Sequence, residues 1–109
     1  MNSITLKAIS YVQNALSFLF LQKEMNDFMI NIYLYGSAAR GELTEKSDIY
    51  IFIDCDAGKE EKIEKITKVA FSNFYQSKDY EKWKYLRWTY PLSLQAGELK
   101  KWQLKTSIM

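Results

Sequence analysis

The residues best suited to chemistry crowd into one stretch: Gly36-Ser37-Ala38-Ala39-Arg40-Gly41 and, after a short spacer, Ser47-Asp48. Gly36 lets the backbone approach a ligand closely, Ser37 can cap a helical turn and donate its hydroxyl, and free amides in such a turn make an anion site. Arg40 adds positive charge, which suits phosphate oxygens. Ser47 belongs with this phosphate-binding group, and Asp48 adds a carboxylate that suits a hard cation such as Mg²⁺. An equally good reading gives Gly36 only a turn to make and Ser37 only a cap.

Two short apolar runs flank this loop and must position it. Ile32-Tyr33-Leu34-Tyr35 reads as a strand buried on both faces, ended abruptly by Gly36-Ser37. From Asp48 the pattern alternates, with Ile49, Ile51 and Ile53 on one face and Asp48, Tyr50, Phe52 and Asp54 on the other. The two strands are expected to pair. Before them, Asn2 or Ser3 can cap a helix over about residues 4–24, whose stripe is Ile4, Ala8, Tyr11, Val12, Ala15, Phe18 and Leu19. After them, Ile63, Ile66, Ala70 and Phe74 mark a second helix that ends near Gln76 and Ser77, with Glu61–Lys65 and Glu64–Lys68 as i,i+4 pairs. Trp83 to Gln95, with Pro91 inside it, mixes aromatic and β-favouring residues and predicts a third strand. A short helix from Glu98 to about Lys105 follows, with Leu99, Trp102 and Leu104 available to cover the sheet.

The chain has 109 residues, 48% of them hydrophobic and 16% aromatic, which suffices for one domain with a real core, residues 1–109. It contains a single cysteine, Cys55, and no histidine, so neither an internal disulfide nor a Cys/His zinc cluster is available. A reducing, cytoplasmic setting fits. The longest apolar run near the N-terminus, Ala15 to Leu21, is too short to span a bilayer, which argues against a membrane protein. The formal net charge of +2 argues against a dedicated nucleic-acid binder, although residues 78–109 carry 7 basic and 3 acidic groups and form the basic part.

The spacing Gly-Ser, two residues, Arg-Gly, a short spacer and Ser-Asp resembles the signature of the DNA polymerase beta nucleotidyltransferase superfamily, and within it the minimal nucleotidyltransferases. The resemblance implies an α/β nucleotidyltransferase fold, a small mixed sheet covered by helices, without the extra domain of larger relatives. It also implies Mg²⁺-dependent transfer of a nucleoside monophosphate, with Asp-x-Asp on the second strand holding the metal. Strand residues two apart point the same way, about 6.6 Å apart, so such a pair can share metals. Here Asp48 is present, but Tyr50 stands at the second aspartate position, and a phenol is uncharged at neutral pH and a poor Mg²⁺ ligand. The family's third carboxylate comes from a later strand, and Lys82 to Gly97 contains no Asp or Glu. Asp54 is about 20 Å along the strand from Asp48. Glu42 and Glu45 are candidate substitutes that read better as exposed loop acids.

The expectation is therefore a nucleotidyltransferase-family domain that has lost efficient catalysis and acts by binding a nucleotide or a partner. In the family, minimal nucleotidyltransferases pair with small helical proteins of the HEPN class, often as antitoxins. The alternatives are an active Mg²⁺-dependent nucleotidyltransferase and, more weakly, an RNA-binding module. Tyr50, Phe52, Trp83 and Trp88 are candidates to stack a base, though strand aromatics usually belong to a core. Trp83, Tyr85, Trp88 and Tyr90 on the expected third strand, with Trp102 and a rim of Lys84, Arg87, Lys100 and Lys101, suggest an interface for a homodimer or a helical partner.

Overall fold

The computed structural model describes residues 2–106. The elements run α1 (Ser3–Phe20), α2 (Lys23–Phe28), β1 (Met29–Tyr35), β2 (Ile49–Cys55), α3 (Glu60–Tyr75), α4 (Lys78–Leu86), β3 (Leu92–Gly97) and α5 (Leu99–Thr106). The three strands form one mixed sheet in the order β1-β2-β3, antiparallel between β1 and β2 and parallel between β2 and β3.

The alternation of β2 sorts the two faces. Ile49, Ile51 and Ile53 are fully buried and point with Leu92, Leu94 and Ala96 of β3 toward α1 and α3. Each buried isoleucine contributes roughly 1.5–3 kcal/mol of apolar transfer. The α1 stripe meets them through Ala8, Tyr11, Val12, Ala15 and Leu19, and α3 through Ile63, Ala70, Phe71 and Phe74. Asn2 caps α1, its Oδ1 accepting from the Thr5 amide at 2.7 Å.

Four expectations need correction. The first helix stops at Phe20, and Lys23–Phe28 forms a separate short helix rather than a simple break. β1 is not buried on both faces: with three strands among the described residues it is an edge, Ile30 and Asn31 are exposed, and none of its residues is fully buried. The i,i+4 pairs of α3 do not close, since the ion pairs among the described residues are Arg40–Glu42, Lys62–Glu24 and Lys101–Glu98. The expected strand over residues 83–95 starts as helix, because α4 runs to Leu86, and becomes strand only after Pro91, where β3 begins.

Local helix signals override the aromatic β-preference in α4. Ser77 accepts from the Tyr80 amide as N-cap, Asp79 and Glu81 occupy the first turn, and Lys84 the last, each favourable to the helix dipole. Spacing of three then sets Tyr80 and Trp83 together against Tyr11. Asn14 of α1 locks the contact, accepting from Trp83 Nε1 at 2.8 Å and donating to Asp79 at 3.0 Å. Of the aromatics expected at an interface, Tyr90 and Trp102 are buried, Trp83 and Trp88 half-buried, and only Tyr85 is broadly exposed, at 88%. Leu104, expected to help cover the sheet, lies outside the described side chains. No helix among the described residues is long and apolar enough to cross a membrane.

Candidate functional site

The loop between β1 and β2 is built as a compact turn fastened to the start of α1. Gly36 takes a φ of +73°, a left-handed conformation that favours glycine, and turns the chain off β1. The Arg40 amide donates to the Gly36 carbonyl, Gly41 to Ala38 and Glu42 to Ser37. Ala38 and Leu43 are buried as apolar anchors. The Leu43 amide donates to Thr5 Oγ1 at 3.0 Å, and its carbonyl accepts from Asn2 Nδ2 at 3.0 Å. Asn2, Thr5 and Leu43 thus hold the loop. The sequence marked Asn2 as a cap candidate, but a tie across some forty residues leaves no local signal.

The loop's polar groups divide their work. The amides of Ser37, Ala38 and Ala39 make no hydrogen bond among the described residues, and Ser37 and Ala39, which are not buried, could offer theirs to an anion. Arg40 is turned aside, its Nε donating to Glu42 Oε2 at 3.1 Å with both side chains exposed. Ser47 Oγ accepts from the Thr44 amide at 3.0 Å and so locks a turn. Asp48 is exposed at the mouth of β2 and makes no hydrogen bond or ion pair among the described residues. Glu45 stands near Tyr90, whose hydroxyl is pushed above its ordinary pKa by burial and then by that carboxylate.

Facing the loop, the second side of the sheet is aromatic. Register sets Tyr35 opposite Tyr50 and Tyr33 opposite Phe52, and on β3 it sets Ser93 opposite Tyr50 and Gln95 opposite Phe52. The Tyr35 and Tyr50 rings lie 5.4 Å apart, and Tyr50 crosses Gly36 so closely that a Cβ there would sit 3.4 Å from its ring. Burial, and then the Tyr50 hydroxyl, pushes the Tyr35 phenol above its ordinary pKa, so it stays neutral. Trp102 of α5 stacks on Phe52 at 4.0 Å, meets Tyr35 edge-on at 4.8 Å and donates to Gln95 Oε1 at 3.3 Å. Asp54 caps α5, its Oδ1 accepting from the Leu99 amide at 3.0 Å. The structure therefore brings Gly36, Tyr50 and Asp48 to one end of this face, while Arg40 and Ser47 are occupied within the loop.

The family model described as nucleotidyltransferase domain matches residues 15–105, from within α1 to within α5 and across all three strands. The chain belongs to the nucleotidyltransferase domain family. No curated protein and no solved structure matched it.

Nucleotidyltransferases typically work with Mg²⁺, and the donor set can be tested against that need. On the face where carboxylates would hold the ion, Asp48 is followed by Tyr50, and the facing β3 positions are Ser93 and Gln95. Asp54, the other acid on this face, is engaged as the α5 cap. Among the described residues no group of three or more His, Cys, Asp or Glu converges as a metal site. A hard cation of this size needs anionic oxygen ligands or a substrate phosphate to complete its shell. The residues present do not fit a carboxylate-held Mg²⁺ pair. Phe52 and Trp102, the first a stacking candidate and the second a sheet cover in the sequence, stack on each other farther along the same face. Trp83 and Trp88 lie elsewhere, on α4 and just after it.

Proposed function

We propose that this is a nucleotidyltransferase-fold module of the minimal nucleotidyltransferase branch that has lost efficient catalysis and acts in the cytoplasm by binding, through an antitoxin-like role toward a HEPN-type helical protein. One observation carries the reading: uncharged Tyr50, Ser93 and Gln95, with the Phe52–Trp102 stack, occupy the face that would have to neutralise a triphosphate. Nucleotidyl transfer depends on positioning and on cations that offset developing charge. A face with one carboxylate supplies little of either.

Two features support the binding half. The unengaged amides of Ser37 and Ala39 suit a phosphate, which keeps a weak nucleotide interaction within the proposal. The outer face of α4 carries Tyr85 and Leu86, both exposed, among Lys78, Glu81 and Lys82, a surface suited to an amphipathic helix of a partner.

The test is labelling. Incubation of the purified chain with labelled NTPs, Mg²⁺ or Mn²⁺ and candidate acceptors, including a HEPN-type protein encoded beside it, is expected to give no transfer above the Ser37→Ala/Asp48→Ala control. Stable co-purification with that helical protein, weakened by Tyr85→Ala, is expected alongside. Robust labelling that Asp48→Ala abolishes would overturn the reading and make the chain a Mg²⁺-dependent enzyme.

A further inference from the structure

Nothing among the described residues pairs with the outer edge of β3. Its residues, Leu92-Ser93-Leu94-Gln95-Ala96-Gly97, hold no charge, no proline and no bulge. Such devices ordinarily protect an edge, because a row of unpaired amides and carbonyls is a template for another strand. The other edge is better guarded, since a register shift between Met29 and Asn31 breaks the regularity of β1. The Ile49 amide donates to the Pro91 carbonyl at 2.8 Å, and Ile49 stands opposite Leu92. That sets the phase of the ladder: Ser93, Gln95 and Gly97 bond inward to β2, and Leu94 and Ala96 present their amides and carbonyls outward.

Along this edge runs a groove of about 500 Å³ between α3 and β3. Leu92 and Leu94 line one side and Phe71 and Tyr75 the other, and among the described residues the charged groups lining it are Glu64 and Lys68, one helical turn apart on α3. Neither of the two is held in an ion pair among the described residues.

We propose that a second copy of this chain occupies this edge, β3 pairing antiparallel with its counterpart about a two-fold axis at Gln95. In that register Leu94 of one copy exchanges both main-chain bonds with Ala96 of the other, and the exchange occurs twice. The same axis turns α3 antiparallel to its copy, so Glu64 and Lys68 meet in reversed order and each acid faces the other copy's lysine. A two-fold contact requires this kind of self-complementarity. Main-chain pairing and charge together favour a second copy over an arbitrary apolar peptide. One strand and one helix stripe from each copy make a small interface, below about 1,200 Å² in total. The dimer therefore forms weakly, at chain concentrations of about 100 µM and above.

The proposal does not depend on the catalytic reading, and its test does not use activity. Sedimentation equilibrium of the full chain from about 10 to 500 µM is expected to show reversible dimers. Amide exchange at Leu94 and Ala96 is expected to slow as concentration rises. Glu64→Lys, an exposed change that leaves the fold intact, should raise the dimer Kd about three- to tenfold. The swap Glu64→Lys/Lys68→Glu should restore it. A monomer across the whole range would overturn the proposal, as would a dimer indifferent to Glu64→Lys whose Leu94 and Ala96 amides exchange at a constant rate.

Discussion

Tyr50→Asp rebuilds the Asp-x-Asp pair with Asp48 and tests whether Tyr50 is what separates this face from a metal site. The change removes the ring that lies 5.4 Å from Tyr35 and crosses Gly36. An aromatic pair contributes about 0.5–1.5 kcal/mol and strand preference up to about 1 kcal/mol, so the variant should lose about 1–2 kcal/mol. Tm should then fall by about 4–8 °C for a domain of this size. Tyr50 is already 38% exposed, so the loss should not unfold the chain. Two carboxylates about 6.6 Å apart repel one another, and a divalent ion relieves that repulsion. With a Kd of about 1 mM, about 10 mM Mg²⁺ or Mn²⁺ would stabilise the variant by about 1.4 kcal/mol and return about 6 °C of Tm. The wild type should move by less than about 1 °C in the same thermal scan. An equal metal-induced rise in the wild type would refute the reasoning, because it would mean that Asp48 and its neighbours already hold the ion.

Asn2→Ala removes both the α1 cap and the tie to the Leu43 carbonyl. It should cost about 1.5–3 kcal/mol by chemical denaturation, whereas Asn2→Asp keeps the cap and should cost about half as much; equal losses would show that the loop tie contributes nothing. Arg87 closes α4 with a φ of 59°. Arg87→Gly should stabilise by up to about 1 kcal/mol and Arg87→Val should destabilise, and a common sign for the two would contradict strain at that position. Burial first, and then Glu60, Asp54 and Asp56, push the Cys55 thiol from 9.0 up to about 11. The folded state thus keeps a proton that the unfolded state releases, and stability should fall as pH rises from about 9 through 11. Cys55→Ala should flatten that part of the profile, and an unchanged slope would assign the fall to other groups.

How far the sequence could be read depended on the range of the interaction. β2 and α3 were legible because strict alternation at Ile49, Ile51 and Ile53 and helical spacing at Ile63, Ala70 and Phe74 are local records of a buried face. α4 was not, because Trp83, Tyr85, Trp88 and Tyr90 outweighed the cap at Ser77 and the charges at its ends. β1 looked buried on both sides because apolar content cannot reveal that it lies at the edge of its sheet. At the site, strand period alone puts Asp48 and Tyr50 on one side, whereas Gly36 is joined to them only by the signature. That Arg40 would turn to Glu42, and that Trp102 would stack on Phe52 from some fifty residues away, depends on tertiary packing.

The signature separates into two halves with different causes. Gly36 is needed for a left-handed turn beneath Tyr50, Ala38 and Leu43 are buried anchors, and Asn2 and Thr5 hold the loop on α1. Those duties require the glycine and the small residues whether or not phosphate ever binds, so this half of the motif identifies the family without identifying an activity. The half that would identify an activity is the charge on the facing strands, and there each position that could assist Asp48 is neutral. A single missing carboxylate would still leave a site that phosphate oxygens and water could complete. Here Tyr50, Ser93 and Gln95 share their face with the Phe52–Trp102 stack, which adds no charge to it. A triphosphate brought to such a face would give up hydration without gaining cations, and the nearest guanidinium, Arg40, is already turned to Glu42. On the function proposed above, the fold is that of the nucleotidyltransferase family and the working contacts are made through its surfaces.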